Sequence, residues 1–215
     1  MNVDLKICGI TNLSSIKIAT QNNIKNLGFV SNNLLGPNTC NDAKIKELIK
    51  ECDYYKISSV LLTQHHNLQE LIQQIDFTKP GTISCSYFFN KEDFTSLKSI
   101  FPKLRIGIAI NPVKFDEDYL NSIKSIIDIL YYDLNVYTQS SITTHSIEEN
   151  IKQILFLKNI NLPIYIGGGI DNNNAKIIID RISPSGIDIS RGLKDENNNI
   201  SLVKLNELRT NLSAV

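Results

Sequence analysis

The stretch PIYIGGGIDNNNAKIIIDRISPSGIDISRGLKDE, residues 163–196, holds two short apolar runs, PIYIGG (163–168) and GIDIS (186–190). Between them lies a helix-length segment expected to start near Asn172. A spacer of that length lets the chain cross back and pair its strands in parallel, which a tight hairpin cannot do. The same unit recurs toward the N-terminus. The further expected strands are DLKIC (4–8), NLGFV (26–30), ISSVLLT (57–63), TISCSYF (82–88), LRIGIAI (104–110) and ILYYD (129–133). Helical spacing fills the gaps. In NLQELIQQI, Leu68, Leu71, Ile72 and Ile75 fall at i, i+3, i+4 and i+7, and in SIEENIKQILFLKNI, Ser146 and Glu149 fit a capping box.

Eight strands alternating with helices over 215 residues predict an α/β protein with one domain spanning 1–215, a (β/α)8 TIM barrel. An open doubly wound sheet more often uses five or six strands. In such a barrel the chemistry lies at the C-terminal ends of the strands and on the loops that follow. Those positions are Cys8, the loop after Val30, the neighbourhood of Cys85, Asp133, the glycines at 167–169 and the Ser-Arg-Gly at 190–192.

Composition narrows the classes of ligand. Lysine plus arginine and aspartate plus glutamate balance at 22 each, so no basic bias points to nucleic acid or to an anionic membrane. The N-terminus MNVDLKIC lacks a charged leader with a long apolar run, and no segment approaches the roughly 18 apolar residues of a membrane span. A cytoplasmic protein acting on a small molecule is expected. Cys8, Cys40, Cys52 and Cys85 show no C-x-x-C spacing and read as reduced thiols, while His65, His66 and His145 stand apart from any acidic cluster with ligand spacing. No metal site is expected. The abundant asparagine, as in DNNNAK and ENNNIS, reads as compositional drift.

Gly167, Gly168 and Gly169 follow the seventh strand, and Ser190 and Gly192 follow the eighth. Glycine lets backbone N–H groups approach an anion closely, and a following helix N-terminus adds a favourable dipole. One such loop alone could be a tight turn. Two together, at the pair of loops where this fold commonly binds phosphate, form a candidate phosphate cradle. Cys8 and Asp133 end the first and sixth strands on the same rim. Singly, the cysteine could be apolar filler and the aspartate a helix cap. Paired, a thiolate that takes a proton from carbon and a carboxylic acid that gives one to oxygen suit an aldose–ketose isomerisation.

The segment KICGITN (6–12), with LGFV (27–30) at the matching distance, resembles the N-terminal signature of the phosphoribosylanthranilate isomerase family. YIGGGIDNNNAKIII and GIDISRGLKDENNNI are similar to that family's seventh- and eighth-strand loops. The resemblance implies a cofactor-free Amadori rearrangement, with Cys8 as general base and Asp133 as general acid. It implies that Lys6 and Asp188 support the site, and that Gly168, Gly169, Ser190 and Gly192 hold the phosphate. Arg191 stands where the family usually has serine and would add a phosphate contact or cover a modified pocket. The chain departs from the family at the anthranilate-binding positions. The arginine expected after the second strand is missing from SNNLLGPNTC. The expected function is phosphoribosylanthranilate isomerase, in tryptophan biosynthesis, acting as a monomer or homodimer. The alternative is a diverged relative that isomerises another phosphosugar or only binds phosphorylated ligands.

Overall fold

A computed structural model describes residues 3–36, 38–134 and 144–213, the side chains of 144–146 and 149 excepted. The expected capping box at Ser146 and Glu149, His145, and most of the loop after the sixth strand lie outside the described residues. The barrel strands are β1 (Asp4–Ile7), β2 (Asn26–Ser31), β3 (Ser58–Thr63), β4 (Thr82–Cys85), β5 (Arg105–Ile110), β6 (Ile129–Asp133), β7 (Ile164–Gly167) and β8 (Gly186–Ile189). Each is followed by one helix: α1 (Leu13–Gln21), α2 (Asp42–Tyr54), α3 (Leu68–Thr78), α4 (Lys91–Ile100), α5 (Glu117–Ile123), α6 (Thr144–Asn159), α7 (Ala175–Ile182) and α8 (Leu202–Ser213). Every strand pairs in parallel with its sequence neighbours. β1 closes the ring by pairing with both β2 and β8, which sets Lys6 opposite Asn26 on one side and Asp188 on the other. The expected (β/α)8 barrel is the fold.

The helices pack by one repeated device. α2 buries Ile45, Leu48, Ile49 and Cys52, and α7 buries Ala175, Ile178, Ile179 and Ile182. Both sets follow i, i+3, i+4, i+7, so each helix turns a single apolar stripe toward the barrel wall. Each large aliphatic side chain so buried contributes about 1.5–3 kcal/mol. Asparagine has a structural use here. Asn12, Asn41, Asn67 and Asn90 cap α1 to α4 by accepting backbone N–H bonds. Asn23, Asn38, Asn161 and Asn198 adopt left-handed backbone angles.

Inside the barrel, large rings alternate with glycines. A Cβ on Gly107 would lie 2.5 Å from the Tyr131 ring, and one on Gly186 would lie 2.4 Å from the Tyr165 ring. These rings, with Val60 and Ile129, fill the barrel beneath its carboxyl mouth. Tyr165 donates to Asp4 at 2.9 Å.

Strand ends fall close to expectation, with one clear difference. β4 stops at Cys85 rather than at residue 88. Ser86 still donates to Thr63, but the chain then turns so that Phe89 donates to the Tyr87 carbonyl. Tyr87 and Phe88 leave the ladder to stack on His66 and Tyr119. The helix expected near Asn172 starts at Ala175, because Asp171 and Asn174 bond the backbone of the preceding turn. An additional two-residue strand, Thr39–Cys40, lies beside β2. Among the described residues no helix is long and apolar enough to cross a membrane.

Candidate active site

A cavity of about 530 Å³ opens at the carboxyl end of the barrel, where Cys8, Asp133, Asp188, Ser190, Arg191 and the glycines at 167–169 and 192 meet. Leu62, Ala109 and Ile110, from β3 and β5, add an apolar part of the wall. In the ring β3 lies opposite β7 while β5 is two strands from it, so the polar glycine loops and this apolar wall share one mouth.

Cys8 is reached one residue beyond β1, where the turn begins. Its N–H donates to the Ile189 carbonyl at 2.9 Å, its carbonyl accepts from Ser190 Oγ at 3.3 Å, and Ile10 donates to the Gly28 carbonyl at 2.9 Å. Gly9 carries the chain through a φ of +69°. The Cys-Gly dipeptide at the strand mouth is therefore a sharp, anchored turn that aims the thiol into the cavity. Burial pushes the Cys8 thiol above its ordinary value. The Lys6 charge opposes that shift, Asp188 adds to it, and Lys194 opposes it more weakly.

Lys6, only 1% exposed, pairs with the partly buried Asp188, Nζ to Oδ2 at 2.5 Å. Burial alone would lower the Lys6 ammonium. Asp188 leads the opposing charges, with Cys8 and Tyr131 behind it, and the net shift is upward. The Lys6 ammonium also stands 5.1 Å above the Tyr131 ring. Lys6 thus lies beneath the cavity, while Asp188 forms part of its wall. The second Asp188 oxygen, Oδ1, is buried and accepts from no group among the described residues.

The two glycine loops form one surface. Gly168 and Gly169 have φ of 89° and 74°, and their N–H groups donate to nothing among the described residues. Asn174 fixes this loop by donating to the Gly169 carbonyl at 2.9 Å and accepting from Asp171 at 3.0 Å. Gly192 lies against the same loop so closely that a Cβ there would meet the Ile170 carbonyl at 2.2 Å. The β7 and β8 loops can touch only because residue 192 has no side chain. Arg191 is exposed on the rim and opens a short 3-10 turn, Arg191–Leu193.

Sequence reasoning missed three contributors. Gly28, on β2, leaves room for the Cys8 sulfur, and its place in LGFV was the available signal. Tyr131 lines the cavity from β6, two residues before Asp133. Lys194 reaches back to the Gly9 carbonyl, a contact no local pattern announces.

Fold and site together define a parallel barrel with a thiol, the carboxylates of Asp133 and Asp188 and two glycine loops gathered at one mouth. The chain is 23% identical over 198 residues to N-(5'-phosphoribosyl)anthranilate isomerase 2 of Methanosarcina mazei, spanning 90% of this chain and 86% of that one. It is 26% identical over 206 residues to N-(5'-phosphoribosyl)anthranilate isomerase of Clostridium beijerinckii, spanning 91% and 89%. Phosphoribosyl anthranilate isomerase from Thermococcus kodakaraensis matches with a TM-score of 0.78 and 17% identity, covering 99% of this chain and all of that structure, a likeness of fold. No protein-family model matches. The resemblance carried by the terminal motifs therefore extends through the middle of the chain.

Proposed function

We propose that this protein is a phosphoribosylanthranilate isomerase, converting N-(5-phosphoribosyl)anthranilate to 1-(2-carboxyphenylamino)-1-deoxyribulose 5-phosphate without a cofactor. The observation that carries the reading is that Cys8, Asp133 and both glycine loops line one cavity. The N–H groups of the Gly168 and Gly169 turn, with Ser190, Arg191 and Gly192, hold the phosphate. Asp188 stands in the cavity wall beside the sugar, and the ion pair with Lys6 holds its carboxylate in place.

Asp133 gives a proton to the ribose ring oxygen as the C1–O bond breaks, and the nitrogen lone pair forms the C1=N bond. The Cys8 thiolate then takes the proton from C2. The released electron pair forms C1=C2, the iminium electrons return to nitrogen, and the resulting enolamine tautomerises to the ketone. Two poised groups on opposite parts of the rim divide the work between oxygen and carbon.

The apolar wall of Leu62, Ala109 and Ile110 faces the aromatic end of such a substrate. Residues 31–40 contain no cation to meet a carboxylate, which keeps a different phosphosugar as the second reading. Phosphoribosylanthranilate, generated in situ and followed by loss of its fluorescence, distinguishes the two. Turnover supports the proposal. Binding of a ribulose-phosphate analogue without turnover favours a phosphosugar binder or an isomerase of another substrate, and failure of both removes the reading.

A further inference from the structure

Lys194 is a buried cation that the mechanism above does not use. It follows the 3-10 turn after β8 and is only 4% exposed. Its Nζ donates to the carbonyl of Gly9, the residue next to Cys8. That ammonium also occupies the space a side chain at position 9 would need, 3.0 Å from an ideal Cβ. With Ser190 on the Cys8 carbonyl, the β8 loop therefore holds both carbonyls of the Cys8–Gly9 turn.

The charges around this turn do not balance when Cys8 is a thiol. Lys6 on β1 is answered by Asp188 on β8 at 2.5 Å. Among the described residues no carboxylate pairs with Lys194. The titratable groups facing it are the thiols of Cys8 and Cys40, and from α8 another cation, Lys204, donates to the Lys194 carbonyl at 2.6 Å. Tyr131, on β6, completes the groups near Cys8. A buried ammonium without a counter-ion is costly, and an anion formed beside it recovers part of that cost. Of the two thiols, only Cys8 lines the cavity and adjoins the carbonyl that Lys194 grips.

We infer that Lys194 is a positioning residue for the reacting thiol, anchoring the Cys8–Gly9 turn and supplying the countercharge against which the Cys8 thiolate forms. The inference rests on the proposed role of Cys8, and its test needs no substrate. The rate of iodoacetamide alkylation is followed against pH in wild type, Lys194→Met, Lys194→Gln and Lys194→Arg, and read by mass spectrometry on tryptic peptides. Cleavage after Lys6 and Lys17 isolates Cys8, and cleavage after Lys25 and Lys44 isolates Cys40.

Loss of a countercharge raises a thiol midpoint, by about one pH unit at the low end of such effects, and the rise is read from alkylation below about pH 8, where the buried Lys194 still carries its charge. That rise is expected for Cys8 in both neutral variants, with most of it reversed in Lys194→Arg. The glutamine variant keeps a polar donor, so it carries the test if the methionine variant does not fold. An unchanged Cys8 midpoint in either folded neutral variant overturns the inference. So does a shift confined to Cys40, or an arginine variant that behaves like the neutral ones. Failure of the base role is separate: Cys8→Ser would then keep its turnover whatever the alkylation profile shows.

Discussion

Gly28 faces Cys8 across the seam where β1 meets β2, so closely that a Cβ at residue 28 would lie 2.7 Å from the Cys8 sulfur and 3.2 Å from its Cα. The Lys6 ammonium would be 3.0 Å away. Even alanine must push the thiol or the strand aside. Gly28→Ala is expected to lose about 1–3 kcal/mol of stability through overpacking. Displacement of the reacting sulfur should lower kcat by about 10²-fold. Urea unfolding and steady-state kinetics check the two effects, and near-normal kcat in the folded variant would mean that the thiol position is not critical.

Cys8→Ser and Asp133→Asn should each lower kcat by about 10²–10⁴-fold, the usual contribution of a general acid or base. Neither side chain is assigned to the phosphate, so affinity for a ribulose-phosphate analogue should stay close to wild type. Kinetics paired with calorimetric titration separates the two quantities. A variant that binds weakly yet turns over normally would reverse the assignment of that residue.

Much of this site can be read locally, and the reason is the barrel itself. Cys8, Asp133 and the glycine loops sit at strand ends, and strand ends follow from apolar runs and the residues that stop them. Relationships that depend on ring closure cannot be read that way. Lys6 meets Asp188 across 182 residues of sequence because β1 pairs with β8, and Gly28 meets Cys8 because β1 also pairs with β2. The end of β4 was obscured for another reason. Tyr87 and Phe88 continue a strand-like composition, yet they pack in aromatic stacks outside the ladder. Asparagine looked like drift, although Asn12, Asn41, Asn67 and Asn90 each cap a helix.

The two glycine loops should fail in different ways when a side chain is added. Gly168 has a φ of 89°, a conformation that costs a β-branched residue about 1–3 kcal/mol or forces the peptide to turn. Gly168→Val should therefore misdirect N–H donors and weaken a phosphate-bearing ligand by one to a few orders of magnitude, at about 1.5–3 kcal/mol per charged hydrogen bond. Gly192→Ala places its Cβ 2.2 Å from the Ile170 carbonyl, so it should also separate the loops and lower stability. Calorimetry with the ribulose-phosphate analogue, beside thermal unfolding, tests both. Unchanged affinity in folded Gly168→Val would assign the glycines to turn geometry alone.

Lys194 should leave a signature in the pH dependence of stability. Burial lowers its ammonium to about 8, with the Cys8 and Cys40 thiols opposing the shift. In the unfolded chain a lysine titrates near about 10.4. Below pH 8 both states hold the proton, and the folded protein carries the full cost of a buried cation. Between about pH 8 and 10.4 the unfolded chain holds more of that proton, so this group makes stability rise with pH, by up to about 1.4 kcal/mol per unit. Cysteines act in the opposite direction: burial pushes Cys52 and Cys85 up to about 12, so the folded state keeps protons that unfolded thiols release. The difference between Lys194→Met and its parent cancels those shared terms. Both proteins are made in a Cys8→Ser background, where the thiol cannot share the proton, and urea unfolding is measured at intervals from pH 7.5 to 9.5. The parent should gain stability relative to Lys194→Met as the pH rises, and parallel curves would show that Lys194 keeps an ordinary ammonium.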